Sequence, residues 1–158
     1  MKRMLWILNP HAGRGAMSGK VIDCVTAFQQ AGYDVTIYIT QGAQDATRVA
    51  RERAGEFDRI VCAGGDGTLN EVITGLMQVE SRPVLGYVPA GTTNDFAFSL
   101  GISKVPAEAA VIAAGATLPA LDIGPFNDRY FNSIAAFGAF TEVSYKTSQH
   151  TKTIFGRA

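Results

Sequence analysis

Short apolar runs alternate with segments of helical periodicity along the first ninety residues. Four runs are rich in β-branched or aromatic side chains and are each followed by Asn, Thr, Gly or Pro. They predict strands at residues 4–8, 35–39, 59–63 and 84–88. Strands that alternate with helices form a parallel sheet through βαβ crossovers. The pattern therefore predicts an α/β fold with a mainly parallel sheet.

Helical periodicity predicts three helices between and after these strands. The first covers residues 21–28 and ends at Gly32, and a weaker second helix covers residues 49–54. The third has the clearest apolar stripe, with offsets of three, four, seven and eight, formed by Leu69, Val72, Ile73, Leu76 and Met77. These stripes give the helices apolar faces that can pack against the sheet.

The pattern changes after about residue 120. Two short strands that flank a turn at Asn127 and Asp128 predict a hairpin, and the last dozen residues are polar without a stop signal. A hairpin alone is marginal in water. We therefore divide the chain into a first domain, residues 1–120, and the truncated beginning of a β-rich second domain, residues 121–158.

Composition narrows the class of protein. A chain of 158 residues that is 47% hydrophobic and 18% charged fits an ordinary globular domain. Its net charge of zero gives no general attraction for nucleic acid. Cys24 and Cys62 lie in apolar runs, which indicates reduced core cysteines in a cytoplasmic protein. No segment approaches the ~20 apolar residues of a membrane span, so a membrane substrate would be met at the lipid surface by a peripheral protein at the inner face.

Three glycine-rich loops follow three of the predicted strands. Because ligands of open parallel sheets bind beyond the carboxyl ends of the strands, we expect the loops to converge on one crevice. The strongest is Gly-Gly-Asp-Gly-Thr at 64–68, directly before the third helix. Bare backbone N–H groups and the positive end of a helix favour phosphate there. A tight turn is the simpler interpretation, with a capping box formed by Thr68 and Glu71, and we accept the capping role for Glu71.

A tight turn does not account for Asp66. A carboxylate among phosphate-binding amides repels phosphate unless Mg²⁺ or a substrate proton balances its charge. In the loop after the fourth strand, Gly91 and Thr92 are candidate ligand contacts. Asn94 and Asp95 fit helix caps equally well.

The loop after the first strand contains Asn9, which could contact an adenine or ribose edge. Arg14 and Lys20 could approach phosphates or be solvated charges. Five residues separate Gly13 from Gly19, and Val21 follows Lys20, which excludes the phosphate-binding P-loop.

A dinucleotide fingerprint is also excluded, because Thr40 stands where an acidic residue is required. Thr40 could be a nucleotide contact or a plain strand terminator. His11 and His150 have no metal-ligand cluster at suitable spacing, so we predict no zinc site.

Three motifs in this order resemble the catalytic domain of the diacylglycerol kinase family, which includes bacterial lipid kinases and sphingosine kinases. They are Asn-Pro with Ala-Gly at 9–13, Gly-Gly-Asp-Gly-Thr-Leu-Asn at 64–70 and Gly-Thr-Thr-Asn-Asp-Phe-Ala at 91–97. The second is shared with NAD kinases, whereas the third points to the lipid kinases. The resemblance covers essentially the whole chain. It implies a three-layer α/β/α fold like that of NAD kinases and phosphofructokinases.

The resemblance implies an enzyme of phospholipid biosynthesis that transfers the γ-phosphate of ATP to the hydroxyl of diacylglycerol or a similar lipid, with Mg²⁺. It implies that ATP binds residues which this chain supplies at matching positions, namely Asn9, Pro10, His11, Ala12, Gly13, Thr40, Gly64, Gly65, Asp66, Gly67, Thr68, Leu69, Asn70 and Thr92. Asp66 is the catalytic candidate, orienting the metal or the phosphates, with general base as the minor alternative. Relatives complete the Mg²⁺ site and place the candidate base with residues of the second domain, so we expect the isolated chain to be inactive.

Two other functions stay open at this point. One is an NAD kinase-like phosphotransferase, and the other is a nucleotide-binding module without catalysis of its own. The expected partners are ATP and a lipid met at the membrane surface. Apolar residues near the end of the chain favour association into a homo-oligomer where they are exposed.

Overall fold

A computed structural model describes residues 1–115, 123–126 and 129–131 of the chain. Strands and helices alternate through the first hundred residues, and a short pair of strands follows. The elements, in chain order, are β1 (Lys2–Leu8), α1 (Val21–Gln30), β2 (Tyr33–Ile39), α2 (Asp45–Arg53), β3 (Arg59–Gly64), α3 (Asp66–Leu76), β4 (Val84–Pro89), α4 (Asp95–Ser99), α5 (Pro106–Gly115), β5 (Gly124–Phe126) and β6 (Arg129–Phe131).

The first four strands form one sheet in the order β2-β1-β3-β4, and every pairing in it is parallel. At the carboxyl edge, Leu8 pairs with both Ile39 and Ala63, and Gly64 pairs with Pro89. All four strands therefore deliver their following loops to the same edge. The predicted α/β class is confirmed, and each predicted strand lies within two residues of an observed one.

Helices cover both faces of this sheet. Helix α1 contacts α5, and α2 contacts α3. The chain leaves β1 in one direction to reach β2 and then moves in the opposite direction to β3 and β4, so right-handed crossovers place α1 on one face and α2 and α3 on the other. The three predicted helices are confirmed, and the result is a three-layer arrangement.

The central strand β1 explains why the sheet needs both layers. Met4 to Leu8 are all at most 5% exposed, so consecutive side chains on both faces are covered. On one face the Trp6 ring meets Phe28 of α1 edge to face, with ring centroids 5.3 Å apart. A continuous apolar run is thus the sequence signature of a strand buried from two sides.

Helix α5 was not predicted from the sequence, and α4 was considered only as a helix that Asn94 or Asp95 could cap. Helix α5 is alanine-rich, and its buried positions are the small side chains Ala109, Ala110, Ala113 and Ala114. Such a helix lacks the large apolar stripe from which periodicity is recognised. It packs close to β4, where a Cβ on Gly86 would lie 2.7 Å from the Ala113 carbonyl oxygen.

Strands β5 and β6 pair antiparallel, with Gly124 opposite Phe131 and Phe126 opposite Arg129. This agrees with the predicted hairpin. The turn predicted at Asn127 and Asp128 lies outside the described residues. The division into domains at residue 120 stays a prediction. Across the part of the chain that the structure describes, no helix combines the length and apolarity of a membrane span.

Gly75 permits the contact between α2 and α3. A Cβ at this position would lie 2.3 Å from the Thr47 carbonyl oxygen and 2.9 Å from the Ala50 Cβ. We expect Gly75→Ala to lower the free energy of unfolding by about 1–3 kcal/mol through overpacking, although alanine is the better helix former by about 1 kcal/mol. Urea denaturation measures the change.

Gly55→Ala is the matched control, because no atom lies within 4 Å of a Cβ at Gly55. It should leave the unfolding midpoint unchanged or slightly raised. Equal stability of the two variants would show that the α2–α3 contact is not limited by Gly75.

Candidate functional site

A cleft of about 760 Å³ opens at the carboxyl edge of the sheet. All three glycine-rich loops contribute to its walls, together with two residues from α4 and the segment after it. The lining residues are Asn9, His11, Ala12, Gly13, Gly65, Asp66, Gly67, Thr68, Gly91, Thr92, Thr93, Asn94, Asp95, Phe98 and Lys104. The predicted convergence of the loops on one crevice is confirmed.

The loops touch one another through glycine. A Cβ on Gly91 would lie 2.5 Å from the Gly65 Cα, and a Cβ on Gly13 would lie 2.2 Å from the Ala90 carbonyl oxygen. Gly13 also has a backbone φ of +54°, a value that residues other than glycine rarely adopt. Glycine at these positions lets the three loops pack backbone against backbone around the cleft.

Asn9 joins the first loop to α3. Its Nδ2 donates to the Thr68 Oγ1 at 2.9 Å, and its Oδ1 accepts the His11 backbone N–H at 3.0 Å. Its own backbone N–H donates to the Ala63 carbonyl at 2.9 Å. Asn9 therefore fixes the first loop against the helix that follows the second loop.

The predicted capping box is wrong. Helix α3 begins at Asp66, its N-cap is Gly65, and no side chain caps it. The helix starts three residues earlier than the capping box requires, so Thr68 lies inside the first turn. The glycines allow this early start, because residues without side chains fit a tight strand-to-helix connection.

The early start leaves backbone donors at the cleft. The first hydrogen bond at this end of the helix runs from Leu69 N–H to the Gly65 carbonyl at 3.0 Å. The N–H groups of Asp66, Gly67 and Thr68 precede it, and these three residues line the cleft. Free N–H groups at the positive end of a helix form an anion site.

The Asp66 carboxylate has a structural partner that sequence reasoning did not foresee. Its Oδ2 accepts the Asp95 backbone N–H at 3.1 Å, and its Oδ1 accepts the Phe96 N–H at 3.3 Å. Asp66 therefore caps the first turn of α4 from another loop. The N–H groups of Asp95 and Phe96 thus partly compensate the charge of the Asp66 carboxylate.

The alternative of capping by Asn94 or Asp95 is not supported, since the N-cap residue Asn94 makes no side-chain capping hydrogen bond and Asp95 is already the first residue of α4. Asn94 instead closes the third loop. Its Oδ1 accepts the Gly91 N–H at 2.8 Å, and its Nδ2 donates to the Gly91 carbonyl at 2.7 Å. It does so with a φ of +53°, a conformation that asparagine tolerates better than most residues.

Tyr87 is a supporting residue that the sequence did not reveal, because it lies in an apolar strand and looks like core. It is 3% exposed, and its hydroxyl donates to the Gly64 carbonyl at 3.0 Å, with Asn94 Oδ1 as a longer second acceptor at 3.4 Å. Burial raises the pKa of the Tyr87 phenol, so it remains a neutral donor. From its position in β4, Tyr87 thus links the second loop to the third loop.

Thr40 lies in a second recess of about 210 Å³, which shares Asn9, His11 and Thr68 with the main cleft. Its backbone N–H donates to the Leu8 carbonyl at 2.9 Å and extends the pairing of β1 and β2. Thr40 thus terminates the strand and also lines a recess. The two interpretations left open by the sequence are compatible.

Four predicted contacts, Pro10, Gly64, Leu69 and Asn70, line neither recess. Leu69 is 1% exposed and belongs to the hydrophobic core. Arg14 and Lys20, which the sequence placed near phosphate or in solvent, are exposed and outside both recesses.

Phe98 and Lys104 line the cleft although they lie outside the three motifs, and sequence reasoning missed them. The sequence signal was weak, because both follow the third motif in a segment without a recognisable pattern.

Neither cysteine is suited to nucleophilic chemistry. Both are buried and unpaired by disulfide. Burial raises the pKa of the Cys24 thiol to about 11 and raises that of Cys62 as well, so the reactive thiolate is disfavoured. This agrees with their prediction as reduced core residues.

A parallel sheet whose carboxyl edge carries glycine-rich loops and a helix amino terminus is typical of the class of α/β domains that bind phosphate-containing ligands. Within that class, residues 3–126 match the family model of the diacylglycerol kinase catalytic domain. The chain belongs to this family.

Relatives support the assignment. A diacylglycerol kinase of Bacillus subtilis is 43% identical over 99% of this chain and 52% of its own length. One of Staphylococcus epidermidis is 42% identical over 98% of this chain and 49% of its own length. A diacylglycerol kinase structure from Bacillus anthracis has a TM-score of 0.75 at 35% identity, covering 82% of this chain and 45% of that one. The chain spans about half the length of these relatives.

The crossing of Gly65 and Gly91 can be tested by substitution. Because a Cβ on Gly91 would lie 2.5 Å from the Gly65 Cα and 2.8 Å from the Asn94 Oδ1, Gly91→Ala should separate the loops. We expect a loss of about 1–3 kcal/mol in unfolding free energy, measured by urea denaturation.

Gly67→Ala is the control within the same cleft, since nothing lies within 4 Å of a Cβ there. Alanine favours the first turn of α3, so stability should be kept. A Gly91→Ala protein as stable as wild type would contradict the close contact of the loops.

Proposed function

We propose that this chain is the nucleotide-binding part of an ATP-dependent lipid kinase, which transfers the γ-phosphate of ATP to the hydroxyl of diacylglycerol or a similar lipid. The observation that carries the proposal is the cluster of free backbone N–H groups at the start of α3, at a cleft built by three loops in a member of this family. These donors suit the oxygens of a polyphosphate.

In this proposal the triphosphate lies along Gly65 to Thr68 and Thr92. A cleft of about 760 Å³ is within the range of about 300–1,000 Å³ that small-molecule ligands occupy. The smaller recess beside Thr40 offers room for another part of the nucleotide. Asn9 and His11 line both spaces, so one ligand can extend from one into the other.

The reaction is an in-line displacement. The lipid hydroxyl oxygen forms a bond to the γ-phosphorus, the bond from that phosphorus to the bridging oxygen breaks, and ADP leaves. Backbone N–H groups aimed at the phosphate oxygens stabilise the charge that is redistributed in the transition state. The hydroxyl proton passes to a base that we place outside the described residues.

We assign Asp66 a positioning role. Both of its oxygens accept N–H groups of α4, which makes it a weaker candidate for the general base and a stronger one for holding Gly91 to Asp95 against the second loop. It thereby keeps Thr92 beside the phosphate-binding amides.

Mg²⁺ fits the donors of this cleft only as a partly hydrated ion. The described residues contain no group of three metal-binding side chains, and the carboxylates that line the cleft are Asp66 and Asp95. Mg²⁺ in nucleotide sites is held by one or two carboxylates, water and the phosphates themselves. These two residues would hold it, and the ion would supply charge neutralisation to the phosphates.

The proposal is tested by calorimetric titration of the chain with Mg-ATP, beside a kinase assay that offers diacylglycerol in mixed micelles and NAD in parallel. The assay is run on this chain and on any longer polypeptide that contains it. We expect saturable ATP binding and phosphorylation of the lipid by the catalytically complete protein. Phosphorylation of NAD instead would establish the NAD kinase-like alternative, and binding without turnover would establish a nucleotide-binding module. Absence of ATP binding would remove the basis of all three.

Asp66→Asn tests the positioning role. The amide group keeps one acceptor oxygen, but its Nδ2 faces the second backbone N–H, so one hydrogen bond and the charge are lost. We expect the catalytically complete protein to lose about 10²-fold or more in kcat, with unchanged circular dichroism. Asp34→Asn, at an exposed position on β2, is the matched control. Wild-type kcat in Asp66→Asn would remove Asp66 from the mechanism.

A further inference from the structure

Charge in the cleft is unevenly distributed. Asp66 and Asp95 bring two carboxylates to its lining, and both repel a phosphate group. Among the residues that line it, Lys104 is the one lysine or arginine. Mg²⁺ apart, a polyphosphate site built only from amides and carboxylates would lack a positively charged side chain, and phosphoryl-transfer sites generally include one beside the amide cradle.

The backbone around Lys104 is anchored on both sides. On one side Ile102 is 6% exposed, and its N–H donates to the Ala97 carbonyl of α4 at 2.9 Å. On the other side the Ser103 Oγ accepts the Val105 N–H at 3.1 Å and donates to the Glu108 carboxylate at 2.6 Å. This turn opens α5 and holds Lys104 at the cleft.

The ammonium group of Lys104 is not used by the fold. It makes no hydrogen bond or ion pair with the residues in 1–115, 123–126 and 129–131, and the nearby Glu108 carboxylate is engaged by Ser103. Lysine side chains outside a site are ordinarily solvated. Because the backbone around Lys104 is anchored at the wall of the cleft, its ammonium group is available to bind an anion there.

We infer that Lys104 binds a phosphate group of a substrate in this cleft, either of the nucleotide or of an anionic lipid headgroup. The inference rests on the proposed function. The sequence suggested Arg14 and Lys20 as the basic residues near phosphate, and the inference assigns that role to Lys104 instead. Lys104 is exposed, so water screens its charge and its effect should be moderate.

The test is calorimetric titration of Lys104→Met, Lys104→Arg and Lys20→Met with adenosine, ADP and ATP, each in the presence of Mg²⁺. Lys104→Met keeps the length of the side chain and removes its charge. If the phosphate belongs to the nucleotide, we expect ATP affinity to fall about two- to fivefold, a moderate loss typical of a screened charge. Adenosine affinity should be unchanged, because adenosine carries no phosphate for Lys104 to bind. A substitution that distorted the site would lower adenosine affinity as well. Lys104→Arg should restore most of the ATP affinity and Lys20→Met should match wild type.

Co-sedimentation with vesicles tests whether the phosphate group bound by Lys104 belongs to an anionic lipid headgroup. Vesicles of phosphatidylcholine with and without phosphatidylglycerol are offered to the same variants. A loss confined to the phosphatidylglycerol vesicles in Lys104→Met assigns the lysine to a lipid headgroup. Wild-type affinity of Lys104→Met for both ATP and anionic vesicles would overturn the inference while leaving the proposed function intact. Failure of the wild-type chain to bind either probe would overturn both.

Discussion

Close contact between bare backbones is the constraint on which this site depends. Gly65 and Gly91 meet where any Cβ on Gly91 would lie 2.5 Å from the opposite Cα, and Gly13 lies against the Ala90 carbonyl in a conformation with positive φ. Because the loops follow parallel strands of one sheet, they reach the same edge. Glycine allows them to close on one another there and leaves amide N–H groups facing a shared cleft.

Polar side chains then hold the loops in the close arrangement that the glycines permit. Asn9 binds Thr68, Asn94 binds both backbone groups of Gly91, and Asp66 accepts two N–H groups of α4. Buried Tyr87 joins the Gly64 carbonyl to this set. Each link satisfies groups that partial burial would otherwise leave unpaired. The network holds the free amides of α3 in place, and in the proposed kinase this lowers the reorganisation that catalysis requires.

The same network shows where sequence reasoning reaches its limit. Strand and helix positions followed from periodicity, since burial on two faces leaves continuous apolar runs and burial of one helix face leaves a stripe. Helix α5 was not predicted from periodicity because its buried face consists of alanine. The capping box failed because Thr-x-x-Glu also fits residues inside a helix, and α3 begins three residues before the start that the motif predicts, with Gly65 as its N-cap.

The sequence by itself determined the α/β class, the strands and three of the helices, the motifs of the family and the meeting of their loops at one edge. These features depend on local periodicity and on the rule that parallel strands share a carboxyl end. Tertiary structure alone decided that Asp66 binds the amides of α4, that Tyr87 supports the loops and that Lys104 lines the cleft. Those contacts join residues far apart in the chain, and their partners are set by how the layers pack, which no local pattern encodes.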